Sequence, residues 1–456
     1  MFAVFGLIGL IVFIYLKPQE FIPVLGKLPF LYLFLALTVF GLALDLRGKH
    51  IRLAKGPHLP YMIGFFVWCM ITGFAKTGGA GFTGSITQLA IALTLYVLVS
   101  TTVQTFKVYE TVVVTLIAVS LFVGFVGFHQ GLSPMGCAVQ EGRAENLRPD
   151  GRPCQVPNDC YLGDAEPGAD YQCERQGLFG TMSVGGGRVR YRGVLRDPNE
   201  LALSTSVAIP LLIGRVQRKP SISRVLLFIV ATVMIAVTLI FTQSRGGQLV
   251  FLATFGAYFI KRFGAKGLAI GALVAMPVLL LGGRDTGEAA GSTTERVEIM
   301  VEGLEMFRAN PLLGVGYDQF TQHHFLTAHN SYLLPLAETG PIGLYLFAAI
   351  MYLSVKIPLR VLSTYRDSPE ASVARGWAMS LLAGFAGFVI GIFFLSFTYH
   401  HILWIYFGLA GGLYQAVRTH DPDFKVELTF WEYVALAVAS VGFIAFLFVY
   451  TKIKLG

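Results

Sequence analysis

Apolar residues along this chain arrive in long unbroken runs, not at the spacing of an amphipathic helix or strand, and the runs recur from one end to the other. Thirteen can be read, at 2–16, 28–46, 59–75, 86–102, 108–128, 199–214, 225–242, 248–260, 267–282, 331–352, 376–397, 402–417 and 430–450. A hydrocarbon core of ~30 Å takes about 20 apolar residues in helical form. In lipid a segment must satisfy its own backbone N–H and C=O groups, which selects helices for runs of this length. The pattern predicts an all-α polytopic membrane protein with about 12 or 13 transmembrane helices. The first run is followed by Lys17-Pro18-Gln19-Glu20 instead of a small-residue cleavage site, which predicts a retained helix.

Polar breaks between the runs are short except at 129–198 and 283–330. The expected organisation is therefore N-terminal helices (1–128), a cysteine-containing segment (129–198), further helices (199–282), a second long segment (283–330) and C-terminal helices (331–456). Long irregular segments inside a compact fold usually carry function or are disordered. No internal repeat of the kind found in many transporters stands out.

Composition strengthens the membrane reading: of 456 residues 54% are hydrophobic and only 14% charged. The net charge of +8 changes the picture only after its distribution is examined. Lys and Arg gather in Arg47 to Lys55, Arg215 to Arg224, Lys261 to Lys266 and Lys356 to Arg375, alternate breaks that must share one side of the membrane. The positive-inside rule makes that side cytoplasmic, so the charge is topological and no nucleic acid is implied. Thirteen spans would leave Lys452 and Lys454 outside, against the same rule, and one re-entrant run would reduce the count to twelve.

The two long segments then fall outside. The first holds Cys137, Cys154, Cys160 and Cys173, an even number that predicts two disulfides with three possible pairings. A metal site would want closer pairs such as C-x-x-C, which are absent. Cys69 lies in an apolar run and reads as a packing residue. In the second segment, Ser292-Thr293-Thr294-Glu295 reads as a capping box. Val297, Met300, Val301, Leu304 and Phe307 follow at helical spacing, up to Asn310-Pro311. This predicts an amphipathic helix on the outer membrane face or capping the bundle. Gly314 and Gly316 beyond it suggest a tight turn, either a plain one or one with backbone open to a ligand.

The outer segments hold eleven Arg and no Lys, against 22 Arg and 13 Lys in the chain. Arg offers a planar fork suited to carboxylate and phosphate and keeps its charge when partly desolvated. Arg245 sits in a minimal turn between two runs, Arg296 in the first turns of the capped helix, and Arg196 just before the run that begins near Asn199. Each reads as an anion ligand or, more plainly, as a snorkelling anchor or ion-pair partner. His329 lies where the second segment re-enters the membrane and is a candidate proton acceptor, or else a cap of the next helix. His323 and His324 raise a metal reading that no carboxylate or Cys at ligand spacing supports.

With these residues in view, the C-terminal two-thirds resembles the O-antigen ligase and O-antigen polymerase superfamily of bacterial envelope enzymes, the Wzy C-terminal domain family. The matching pieces run in order: Asp197-Pro198-Asn199, Ser244-Arg245-Gly246, Arg296 with Asn310-Pro311-Leu312-Leu313-Gly314-Val315-Gly316, His329-Asn330-Ser331-Tyr332-Leu333 and Glu338-Thr339-Gly340. The resemblance implies a metal-independent, inverting glycosyltransferase of the membrane-embedded GT-C-like type, without a cofactor, in the bacterial inner membrane with a periplasmic active face. Its donor would be an undecaprenyl-diphosphate-linked glycan and its acceptor a saccharide or lipid A core, with other polysaccharide assembly proteins as partners. Carried over, Arg245, Arg296 and Arg196 would bind diphosphate and His329 would be catalytic, supported by Asn199, Gly314, Gly316, Asn330 and Glu338. Ligase and polymerase share these motifs, and a protein O-oligosaccharyltransferase is a third relative. The cysteine-rich segment is not part of the pattern. A transporter or flippase of lipid-linked saccharides is the reading from another class, but it should place charge near the bilayer midplane, where this chain has little beyond Glu338.

Overall fold

The computed structural model describes residues 2–142, 147–218, 220–281 and 286–455. Its helices are α1 (Ala3–Leu16), α2 (Pro23–Gly26), α3 (Phe30–Arg47), α4 (Leu59–Thr102), α5 (Phe106–Leu132), α6 (Pro198–Ser206), α7 (Ile209–Arg218), α8 (Ile222–Thr242), α9 (Arg245–Phe263), α10 (Ala265–Leu281), α11 (Thr286–Ala309), α12 (Phe320–His323), α13 (Leu333–Thr364), α14 (Ser372–Gly391), α15 (His401–Arg418) and α16 (Phe430–Leu455). Every apolar run is wholly or largely helical among the described residues, so the all-α polytopic reading holds. Among the described residues seven helices are long and apolar enough to cross a membrane, fewer than the 12 or 13 expected. The difference lies partly in length and partly in apolarity, since α9 and α15 have 19 and 18 residues and are still not among the seven. The runs at 2–16 and 86–102 make shorter helical stretches. The run at 199–214 breaks into α6 and α7, and the runs at 59–75 and 86–102 merge into α4 across a non-helical Gly78.

Two surfaces tell which helices meet lipid. On α8, Ile222, Val225, Leu226, Ile229, Val230 and Val233 point outward, as do Trp431, Val434, Val438 and Val441 on α16. Such continuous apolar exposure is what a hydrocarbon solvent permits. By contrast α15 is buried on all sides from Ile402 to Leu413. Hydrophobic burial gives little drive for helix association within lipid, so close packing must supply it. The α15–α4 seam does so with small residues: a Cβ on Gly408 would lie 2.6 Å from the Val99 Cβ, and one on Gly411 2.9 Å from the Ser100 Cβ. Gly408→Val is therefore expected to destabilise the bundle by about 1–3 kcal/mol through overpacking. Its thermal midpoint in detergent should fall, and an unchanged midpoint would contradict the seam.

The segment at 129–198 is not an irregular loop. Strands β1 (Met135–Gln140), β2 (Leu147–Pro153) and β3 (Tyr171–Arg175) form an antiparallel sheet in the order β2-β1-β3. Cys137 pairs with Cys160 and Cys154 with Cys173, and the four sulfurs share a small core with Val139 and Tyr171. A unit of this size buries too little apolar surface to hold itself, and the cross-links replace the missing core. Cys69 is a free, buried thiol.

At the end of the bundle that carries the clustered basic residues, ion pairs fix the chain. Glu110 on α5 binds Arg215 at 2.7 Å and also Arg218, both on α7. Lys356 on α13 meets Glu432 on α16 at 2.5 Å.

Candidate functional site

At the opposite end of the bundle, two helix starts are tied together. Asp197 caps α6, accepting from the Asn199 amide at 2.6 Å, while its own amide donates to the Glu200 carboxylate at 3.2 Å. Pro198 follows at a position where a missing N–H costs nothing. Ser244 caps α9, accepting from the Gly247 amide at 2.9 Å, and donates its hydroxyl to Asn199 Oδ1 at 2.6 Å. A side chain at Gly247 would bring its Cβ within 2.4 Å of the Ala202 Cβ on α6. Asn199, Ser244 and Gly247 thus form a structural tie whose product is an exposed Arg245 at the first position of α9.

Arg296 lies over the ring of Phe394, a residue that packs against Gly246, the neighbour of Arg245 in the chain. The Arg296 guanidinium carbon lies 5.6 Å from the centre of the Phe394 ring, in range of a cation–π contact. A Cβ on Gly246 would sit 3.3 Å from the Cβ of that same Phe394. The helix carrying Arg296 differs from expectation. α11 begins at Thr286 and runs straight through the Ser292-Thr293-Thr294-Glu295 box, because Glu288, Ala289 and Ala290 favour helix and extend it upstream. The side chains of Ser292 and Thr293 lie outside the described residues. Arg296 therefore sits in the third turn, where no free amides add to its charge. Val297, Ile299, Met300, Leu304 and Met306 are buried as α11 packs on α13 and α16. The amphipathic helix thus caps the bundle.

His329 takes a left-handed backbone (φ 46°). It does not cap α13. Asn330 does that, its Oδ1 accepting from the amides of Tyr332 at 2.9 Å and Leu333 at 3.0 Å. Ser331 then staples the segment to residues 392–400, which form a non-helical strap because α14 stops at Gly391, short of the expected end at 397. The Ser331 amide donates to the Ile392 carbonyl at 2.8 Å, and its hydroxyl donates to Leu395 O and accepts from the Phe397 amide, both at 2.6 Å. Thr327 and Ser396 hydroxyls meet at 2.9 Å, on the other side of His329.

The imidazole of His329 is half-buried, and burial holds its proton affinity below the ordinary value. Arg296 and His324 push in the same direction, while the carboxylates of Asp197 and Glu295 oppose them. A neutral ring beside an arginine and a carboxylate can accept a proton at neutral pH and have the resulting charge balanced. His329, Arg296 and Asp197 are thus brought together, whereas Arg245 is an exposed residue at the start of α9. Arg196, directly before Asp197, lies in the wall of a separate cavity. His324 has Nδ1 taken up by the Leu326 amide at 3.1 Å.

The remaining motif residues form a second tie. Gly340 (φ 70°) and Pro341 interrupt the α13 ladder and free the carbonyls of Ala337 and Glu338. The amides of Val315 and Gly316 fill both, at 2.9 and 2.8 Å. A Cβ on Gly314 would lie 2.4 Å from the Glu338 carbonyl carbon, so only glycine allows this approach. The glycines therefore make a plain packed turn against protein backbone, not one open to a ligand. Glu338 is buried and accepts from Tyr399 at 2.9 Å and from the Phe320 amide at 3.2 Å.

Sequence reasoning missed the strap and its Phe394, because Phe393-Phe394-Leu395 reads as membrane. Its signal is the run Ser396, Thr398, His400 and His401 in an otherwise apolar stretch. Asp197 was visible in its motif but carried no role until the fold set it beside His329.

Residues 208–348 match the family model described as O-antigen ligase. The match takes in Ser244, Arg245, Arg296, the Asn310–Gly316 turn, His329 and Glu338, and leaves out Asp197, Asn199 and the strap. No curated protein matches the chain.

Proposed function

We propose, from a chain whose residues 208–348 belong to the O-antigen ligase family, that it moves a glycan from undecaprenyl diphosphate to an acceptor sugar hydroxyl. The reaction takes place at the outer face of the bacterial inner membrane. The observation that carries this reading is the half-buried imidazole of His329, relieved of capping by Asn330 and set beside Arg296 and Asp197. The acceptor oxygen attacks C1 of the donor's reducing-end sugar from the face opposite the phosphate. A C–O bond forms, the C1–O bond to phosphate breaks, and the acceptor's proton passes to His329. Arg245 and Arg296 hold the diphosphate that leaves, where preorganised cations meet growing charge. Asp197 balances the imidazolium until its proton is returned to water. Inversion follows from this scheme, which calls on no metal.

The test is direct. The purified full-length protein, incubated with an undecaprenyl-diphosphate-linked glycan and acceptor, should release undecaprenyl diphosphate only when both substrates are present. No acceptor-dependent release would refute the reading. A deletion strain divides the two forms of the reaction: short glycans with intact single repeats mean polymerase, and long chains stranded on undecaprenyl diphosphate mean ligase. A transporter gains no support from Glu338, one of the charged residues within a span, since it is committed to Tyr399 and Phe320.

A further inference from the structure

Beside the His329 constellation lies a cavity of about 500 Å³, within the ~300–1,000 Å³ range of small-molecule sites. Its wall joins the turn after α1 to the segment that leads out of the disulfide-linked sheet. Four cations line it, Lys17, Arg190, Arg192 and Arg196, against the carboxylates Glu20 and Glu141. Both carboxylates are engaged: Glu20 lies 3.3 Å from Lys17, and Glu141 2.6 Å from Arg148. The cations are held by the fold. Arg192 donates to the carbonyls of Glu20 (2.9 Å) and Phe179 and stacks over Phe21 at 5.5 Å, which leaves its Nε buried without a partner. Gly193 and Gly180 make room for these stems: a Cβ on Gly193 would lie 2.3 Å from the Lys17 Cδ, and one on Gly180 3.3 Å from an Arg192 nitrogen. Tyr191 adds a ring and Thr181 a hydroxyl to the lining.

We propose that this cavity is a binding site for an anionic saccharide, one bearing a carboxylate or a phosphate group. Preformed guanidinium charge selects an anionic oxygen group. The volume and the aromatic residue in the wall suit a sugar unit attached to it. The wall is mechanically continuous with the reactive residues. The Val194 carbonyl accepts from Nε2 of the strap residue His400 at 2.9 Å, and Arg196 directly precedes Asp197. The occupant is thus placed as part of the acceptor or the growing glycan, an assignment that rests on the transferase reading, whereas the anion selectivity does not.

The test is binding, measured by calorimetry on the full-length protein in phosphatidylcholine nanodiscs, with no turnover required. The probes are a galacturonic acid trisaccharide, its carboxyl-reduced neutral counterpart, and mannose 6-phosphate. At least one anionic probe should bind tenfold or more tightly than the neutral sugar. Lys17→Gln should weaken that binding several-fold and Lys17→Glu more. Arg192→Gln should weaken it by roughly tenfold or more, the scale of one charged hydrogen bond. Which anionic probe binds identifies the group. Equal binding of acidic and neutral sugars, or anionic binding indifferent to both Lys17 variants, would overturn the proposal. Arg192 also supports two loop carbonyls, so the Lys17 variants keep the test valid if Arg192→Gln misfolds. Selective binding by a protein without transferase activity would remove the catalytic reading and leave the site.

Discussion

His329→Ala is expected to lower glycan transfer by ~10²–10⁴-fold, the usual contribution of a positioned base, with the protein inserted at normal abundance. Asn330 caps α13 and Ser331 holds the strap, so removing the imidazole leaves the surrounding fold in place. Unchanged surface glycan would end the assignment. The pH dependence gives a sharper check. Burial and Arg296 hold the imidazole below its ordinary value of 6.5, so the neutral form survives as pH falls past that point, and activity is lost only lower. Arg296→Gln removes a cation that depresses the ring and should move the acid limb of the pH–rate profile to higher pH. Asp197→Asn removes a carboxylate that opposes the depression and should move the limb lower, while Asn still caps α6. Limbs that move the same way, or not at all, would break the electrostatic argument.

The second large effect concerns the arginine fork. Replacing Arg245 or Arg296 with Lys is expected to cost about 2 kcal/mol, or ~30-fold in kcat/KM, because an ammonium cannot make paired hydrogen bonds to a phosphate. Charge is kept and neither residue is a helix cap, so a loss of this size points to bidentate recognition. Near-normal rates in both Lys variants would instead make these residues membrane anchors.

Much of this fold was legible because lipid imposes one rule, and runs such as 108–128 or 430–450 obey it locally. The positions of Arg245 and His329 at the edges of runs followed from the same rule. What was not legible depends on contacts distant in sequence. The Ser292 box is a valid start signal, yet upstream helix formers and packing against α13 and α16 carry α11 through it. The turn at Gly314 and Gly316 looks open until the broken ladder at Pro341 supplies its partners from another helix. The strap at 392–400 is too apolar to be distinguished from membrane by hydropathy, and the cysteine pairing is one of three that spacing leaves open.

The hydrogen bond between Ser244 and Asn199 bears on how this protein is recombined with its relatives. One partner lies inside the stretch that matches the family model and the other nine residues before it, and the strap that holds Ser331 begins beyond the far end. A chimera cut at the edges of the match would separate both interlocks and present the reactive residues on unsupported ends. Functional grafts should instead exchange everything from before Asp197 through the end of α15 as one cassette, leaving the recipient's own cavity-forming segment to choose the sugar.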